Sequence, residues 1–426
     1  MMRRAYLVWG VGVSVYVIAV LQRTSFGVSG LAAADRFHAG PSVLSEFVVL
    51  QVIVYAGMQI PAGLMLDRFG SRAMVVAGAV VMACGQALLA ATGTLSLAII
   101  GRVLVGCGDA CTFISVLRLV PRWFPPRRVP LISQLTAMLG QLGQILSAVP
   151  FLALLHIAGW SPAYTAVAAL GLAGAIPAVL LVRDLPPGSA EVRAAPAGLR
   201  QLGGRVRALW RHPGTRLGFF THMGTMFSTT TFALMWGVPY LVSAQGFSQS
   251  AAGWLLTVSV AVALVAGPLV GELCGRFPLR RSQLVLGIMA AGVAMWTTVL
   301  TLDGPAPRWL LVLLVVVISV GGPGSNVGFD YARTFHPGST LGTAQGIVNI
   351  GGFLGTLLAI EGMGLVLGRA GGYTFDAFRL AWLVQYPIWA IACAGILVSR
   401  RKTRRHLEPV VAGPASADRI VQPAAG

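Results

Sequence analysis

Charge is what this sequence has least of. Of 426 residues only 10% are Asp, Glu, Lys or Arg and 56% are hydrophobic, with a mean hydropathy of +0.78. An ordinary soluble domain carries roughly 25% charged residues, so the shortage excludes that class and leaves a membrane protein. Lysine is nearly missing: Lys402 stands alone and follows Arg401 rather than a glycine loop, so the sequence has no P-loop for ATP. No HExxH zinc motif is present either. These absences argue against an enzyme and against ATP-driven pumping, and no cofactor or metal is expected. The five cysteines (84, 107, 111, 274 and 393) sit inside apolar runs, without zinc-site or disulfide spacing.

What the chain has in quantity is long apolar runs. A hydrocarbon core about 30 Å thick needs roughly 20 residues of helix, because lipid leaves no partner for free backbone groups. Twelve such runs can be counted, near 5–30, 45–66, 73–92, 96–117, 129–154, 162–182, 217–243, 252–274, 283–302, 309–331, 341–367 and 380–399. Arginine tests the count, since loops on the cytoplasmic side hold the basic residues. One set of loops carries 25 Lys or Arg and the alternate set only Arg36, Arg308, Arg369 and Arg379. That asymmetry puts both termini in the cytoplasm. The basic residues lie in short clusters between apolar runs, not on one face, which argues against nucleic acid as a partner.

The basic, then apolar, N-terminus lacks a small-residue cleavage site before Arg23 and reads as a retained first span. A Pro-, Gly- and Arg-rich stretch separates six spans from six. The expected organisation is therefore an N-terminal six-helix bundle at 1–182, a cytoplasmic linker at 183–214, a C-terminal bundle at 215–399 and a basic disordered tail at 400–426.

Between the second and third runs stands "GLMLDRFGSR", Gly63 to Arg72. Shifted by 208 residues it meets "GELCGRFPLR", with Gly63 on Gly271, Arg68 on Arg276 and Arg72 on Arg280. A shift of 211 sets "RWFPP" at Arg122 on "RTFHP" at Arg333. Two agreements in order at nearly one shift indicate a duplicated six-helix unit. The first stretch resembles the signature loop of the major facilitator superfamily, G-x-L-x-D-R-x-G-x-R, matching at Gly63, Asp67, Arg68, Gly70 and Arg72, with Met65 in place of the Leu. The resemblance implies an all-α membrane protein with twelve transmembrane helices in two pseudo-symmetric bundles. It also implies alternating access, with Asp67, Arg68 and Arg72 latching cytoplasmic helix ends. Arg276 and Arg280 belong to the second copy, which has Gly275 at the Asp position. "RVLVGCGDA" is similar to the family's fourth-helix motif, which would make Arg102 its arginine.

An ionisable group inside a span is expensive and marks function by default. Arg23 in the first span shares a helix face with Tyr16 and Trp9, each seven residues apart. Arg102 and Asp109 share a face of the fourth span. Two arginines on a cavity suit a carboxylate or phosphate; the structural alternative is that a buried acid neutralises each one. Polar stripes add Gln51 and Tyr55, Gln141, Trp236 and Asn349 as substrate-site candidates. Asp109, Glu361, Glu46 and His222 are the groups that could carry a coupled proton. Uncharged polar residues also serve as glue between membrane helices.

The expected protein is a secondary active transporter of a small organic anion or zwitterion, moved with protons. It is expected to act as a monomer in a lipid bilayer. The rivals are a proton-coupled drug exporter and a non-transporting receptor. Abundant Ala, Gly and Arg beside a single lysine point to a GC-rich bacterial genome, hence to a bacterial inner membrane.

Overall fold

The computed structural model describes residues 2–37, 41–189 and 199–411. Regular structure among the described residues is entirely helical. Ten segments are long and apolar enough to cross a membrane, beginning with Met2–Val28 and ending with Phe375–Arg404. Two further spans are hidden. Pro41–Ala91 runs as one helix only nominally, since Gly70 sits at φ 85°, ψ 169° and divides span 2 from span 3. A residue with a side chain seldom adopts that φ, so the turn between the two spans depends on glycine. Span 7 is Pro213–Thr231, extended by wide turns at Phe232–Trp236 and Tyr240–Ala244. Its threonines and glycines dilute its hydropathy, yet it is the most buried face of the C-terminal half. The fold is thus twelve membrane helices.

The two halves have separate cores. One is built on Phe227, Trp296, Trp382 and Phe378 and another on Tyr16, Tyr55, Val116 and Leu66. Phe329, Ala332, Leu341 and Ala344 of spans 10 and 11 join the second of these, so the halves meet there. Contact runs along two seams. Span 2 lies against Leu341–Arg369 (span 11), where a Cβ on Gly63 would lie 2.6 Å from the Gly342 carbonyl oxygen. Val129–Ala158 (span 5) lies against Gln249–Arg276 (span 8), where a Cβ on Gly271 would lie 2.8 Å from Leu131 Cα. Main chain touches main chain at both seams, which only glycine permits.

Among the described residues, every hydrogen bond between the halves lies between mid-membrane and the arginine-rich face. They join Tyr55 to Asn349, Gln134 to Pro323 and Asn326, Asp67 to Gly342 and Thr343, and Arg118 and Arg122 to Gly338. The protein is closed at that face.

The glycine-rich start of "GGPGSN" interrupts span 10 less than its composition suggests. Arg308–Ser319 stops and Gly321–Phe335 restarts with only Val320 between them, at φ −65°, ψ −19°. Side chains take the loosened carbonyls: Thr229 donates to Ile318, Gln134 to Pro323 and the His222 ring to Ser325. In the linker, Leu199–Arg211 forms a short helix. The last helix, Gln385–Val411, continues into the segment read as a tail, and residues 412–426 lie outside the described ones.

Candidate substrate site and gate

Arg23 and Asp109 meet. Nη1 of Arg23 donates to Oδ2 of Asp109 at 3.2 Å, with the arginine side chain 26% exposed and the aspartate wholly buried. The pair therefore has one open side, and the guanidinium faces it. Tyr16 packs two turns away, its ring 5.1 Å from that of Phe113.

Arg102 sits behind this pair and is 1% exposed. Its Nη2 donates to the Arg23 carbonyl at 3.3 Å and its guanidinium lies 4.8 Å from the Phe26 ring centre. Nε and Nη1 of Arg102 are buried without a hydrogen-bond partner, and so is Oδ1 of Asp109. Among the described residues two guanidinium groups thus lie near one carboxylate, which only Arg23 contacts, and this cluster holds an excess positive charge in low dielectric. A buried charge in that condition is costly unless a counter-charge arrives.

A chain of hydrogen bonds begins near this pair, at Tyr55. His222 Nδ1 is 3.0 Å from the Ser325 carbonyl oxygen, and Nε2 is 3.1 Å from the Asn349 amide, which in turn lies 3.2 Å from the Tyr55 hydroxyl. Oδ1 of Asn349 faces the His222 ring and its Nδ2 donates to the Tyr55 hydroxyl. The chain joins span 2 to spans 7, 10 and 11 across the middle of the molecule.

The remaining candidates are scattered. Gln51 is buried with its amide nitrogen unpartnered. Gln141 marks the break in span 5 and accepts from Gln144. Trp236 donates to the Ile360 carbonyl at 3.1 Å inside the C-terminal core, which is a packing role. Glu361 is exposed and makes no ion pair among the described residues. The side chain of Glu46 lies outside the described ones.

The signature loop closes the arginine-rich face through its carboxylate. Asp67 accepts from Gly342 N at 2.7 Å, Thr343 N at 2.8 Å and Thr343 Oγ1 at 2.6 Å. These amides open span 11, so the aspartate caps that helix from the other half of the molecule. The guanidinium beside Asp67 is that of buried Arg118, 3.9 Å away, which also donates to the carbonyls of Leu66 and Gly338. The two arginines of the loop are placed differently: Arg68 lies over the Phe69 ring and Arg72 makes no ion pair among the described residues. In the second copy, Arg276 pairs with Glu272 of its own helix and Arg280 lies over Phe277, so neither bridges the halves. Asp330 likewise pairs locally, with Arg333.

The sequence did not single out Arg118, Thr343 or Asp184. Asp184 follows span 6 and accepts from the amides of Ser71 and Arg72 that begin span 3. A Cβ on Gly70 would lie 2.8 Å from that carboxylate. The available signal was a lone acid at the start of an arginine-rich linker.

The profile of the Major Facilitator Superfamily matches residues 12–238 and again residues 218–422. The chain belongs to this superfamily. The double match is the duplication read from the two loops. This transporter is 22% identical to the protein named "Probable sulfoacetate transporter SauU" from Cupriavidus necator, over 86% of this chain and 88% of that one. It is 22% identical to the "Probable galactarate/D-glucarate transporter GudP" of Escherichia coli, covering 91% and 92%. Among solved structures it resembles FucP, described as a transporter in the outward conformation, with a TM-score of 0.68 and 15% identity over 93% of this chain and 99% of that one. The transporter is accordingly a membrane-spanning carrier of small molecules by secondary transport, and not an enzyme.

Proposed function

We propose that this transporter moves a small organic anion together with protons by alternating access, in a bacterial inner membrane with its arginine-rich face cytoplasmic. The observation that carries the reading is that, among the described residues, the two guanidinium groups of Arg23 and Arg102 stand near one buried carboxylate, that of Asp109. An entering carboxylate or sulfonate supplies the missing charge, and Arg23 offers a planar fork that binds it through two parallel hydrogen bonds. Proton binding at Asp109 would release Arg23 to the substrate, which links one proton to one anion. The relatives named above for sulfoacetate and for sugar diacids support an anionic substrate. Asn349 and His222 are the groups that the anion meets from the other half, with Tyr55 of span 2 bonded to them. The organisation into bundles at 1–182 and 215–399, the linker between them, and action as a monomer belong to the same proposal.

The test is a thermal-shift screen of purified protein against sulfoacetate, galactarate, glucarate and cationic drugs, repeated on Arg23→Ala. A ligand at about 100 times its Kd stabilises by about 2.7 kcal/mol, which is several degrees in Tm. An anion that stabilises the wild type and not the variant is the expected result. A cation that stabilises both would overturn it in favour of a drug exporter. Uptake into proteoliposomes that rises with an imposed inward proton gradient checks the coupling.

A further inference from the structure

The linker touches the signature loop at both of its ends. At its start Asp184 holds the amides of Ser71 and Arg72. At its far end the helix Leu199–Arg211 turns Leu202, Val206 and Leu209 inward, toward the protein. A cavity of about 120 Å3 lies there, with walls from Met65, Arg68 and Phe69 of one half, Thr340 of the other, and Leu202, Arg205 and Leu209 of the linker. Closure is what brings these three walls together.

The outward face of the same helix has a different chemistry. Arg200, Arg207 and Arg211 are exposed on it, the helix contains no acidic residue, and none of the three makes an ion pair among the described residues. Trp210 is 38% exposed beside them and packs edge-on against Phe219 of span 7, with ring centres 5.0 Å apart. The helix thus has a largely apolar inner face that also carries Arg205, an outer face whose only charged groups are arginines, and a half-exposed tryptophan at the foot of a membrane span, where arginine and tryptophan favour the lipid head groups.

We propose that this helix docks anionic phospholipid of the leaflet on the arginine-rich side, and that the lipid holds the gate at that face shut. The argument is charge complementarity: three exposed guanidinium groups with no carboxylate partner among the described residues match a leaflet whose phosphates are their natural counter-charge. The consequence for the gate follows from the walls of the cavity. A lipid that fixes the helix in place favours the closed arrangement, the only one in which those walls coincide, and so shifts the population toward it. This inference is independent of the substrate, and its test uses none.

The full chain is placed in nanodiscs of phosphatidylcholine alone and of phosphatidylcholine with one-third phosphatidylglycerol, and amide hydrogen exchange is followed in residues 199–211 and 341–345. Each arginine near an anionic surface is worth about fivefold in binding. The wild type should therefore exchange at least several-fold more slowly in both segments with phosphatidylglycerol, and the Arg200→Gln, Arg207→Gln, Arg211→Gln variant should exchange alike in both lipids. Equal rates for the wild type in the two lipids, or a lipid effect retained by the variant, would overturn the proposal. Should the variant not fold, the wild-type effect must shrink as salt is raised; a salt-independent effect counts against it. Inorganic phosphate added to phosphatidylcholine discs separates a membrane surface from a free anion, and equal slowing by phosphate would also overturn the lipid reading.

Discussion

The two seams grew from one duplicated unit and close in different ways. At the span 2–span 11 seam a buried carboxylate, Asp67, caps the opposite helix and is braced by Arg118. At the span 8–span 5 seam the corresponding position is Gly275, where a Cβ would lie 2.9 Å from the Arg127 carbonyl oxygen. The first seam is held by a charge on a helix end and the second by close packing of main chain. The duplication kept the glycine contact, Gly63 and Gly271, and specialised the residue beside the arginine. One lock is directional and breaks all at once, while the other slides.

The largest expected effect comes from removing the lock. Asp67→Ala leaves three donors without their acceptor and takes the carboxylate away from the buried Arg118 guanidinium, a loss of about 3–5 kcal/mol by the usual cost of breaking a buried pair. Hydrogen exchange at 338–345 should rise sharply, whereas Arg68→Ala at an exposed side chain of the same loop should change it little. Equal effects of the two would erase the distinction between the seams.

Restoring the lost acid should fail. Gly275→Asp puts a Cβ against the Arg127 carbonyl, so overpacking of about 1–3 kcal/mol is expected instead of a second lock. A raised Tm would show that the second seam can be locked like the first. Asp184→Ala should cost about 1 kcal/mol, the worth of a helix cap, read as a lower Tm and faster exchange at residues 71–74.

The smallest effect separates the halves by pH. His336 stands where the first repeat has Pro125, and its ring bonds Thr215 at 2.6 Å. Burial, together with the neighbouring His212, lowers its pKa to about 4. The unfolded ring protonates near pH 6.5 while the folded ring stays neutral. Stability is therefore complete above about pH 6.5, falls as pH drops toward 4, and is level below that. His336→Gln should flatten this part of a Tm-against-pH curve.

The membrane fold was legible because lipid imposes a length and polarity rule that composition alone reveals. Span 7 was harder to place, with threonines that satisfy neighbouring carbonyls and wide turns that stretch its end. Arg23 and Asp109 stood out because charge in an apolar run is rare. Arg118 did not, because span 4 extends to Trp123, beyond the apolar run that ends near 117, and carries a presumed loop arginine into the closed seam. Asp184 and Thr343 act across more than 100 residues of sequence, and no local pattern announces such contacts. The resemblance assigned the latch to Asp67, Arg68 and Arg72, and among the described residues the aspartate makes the hydrogen bonds across the halves, while Arg68 lines a cavity shared with Thr340 and Thr343.

Backbone contact at the seams also has a thermal consequence. At Gly63 and Gly346 the facing surfaces are peptide groups, the latter position set 2.2 Å, for an added Cβ, from the Gln59 carbonyl oxygen. Separating peptide groups uncovers little hydrocarbon, and hydration of hydrocarbon is what gives conformational changes their large heat capacity. The peptide contacts therefore add little to the heat capacity of opening, and curvature in a van't Hoff plot of the open and closed populations should report the apolar packing of Phe329, Leu341 and Ala344 against the other half.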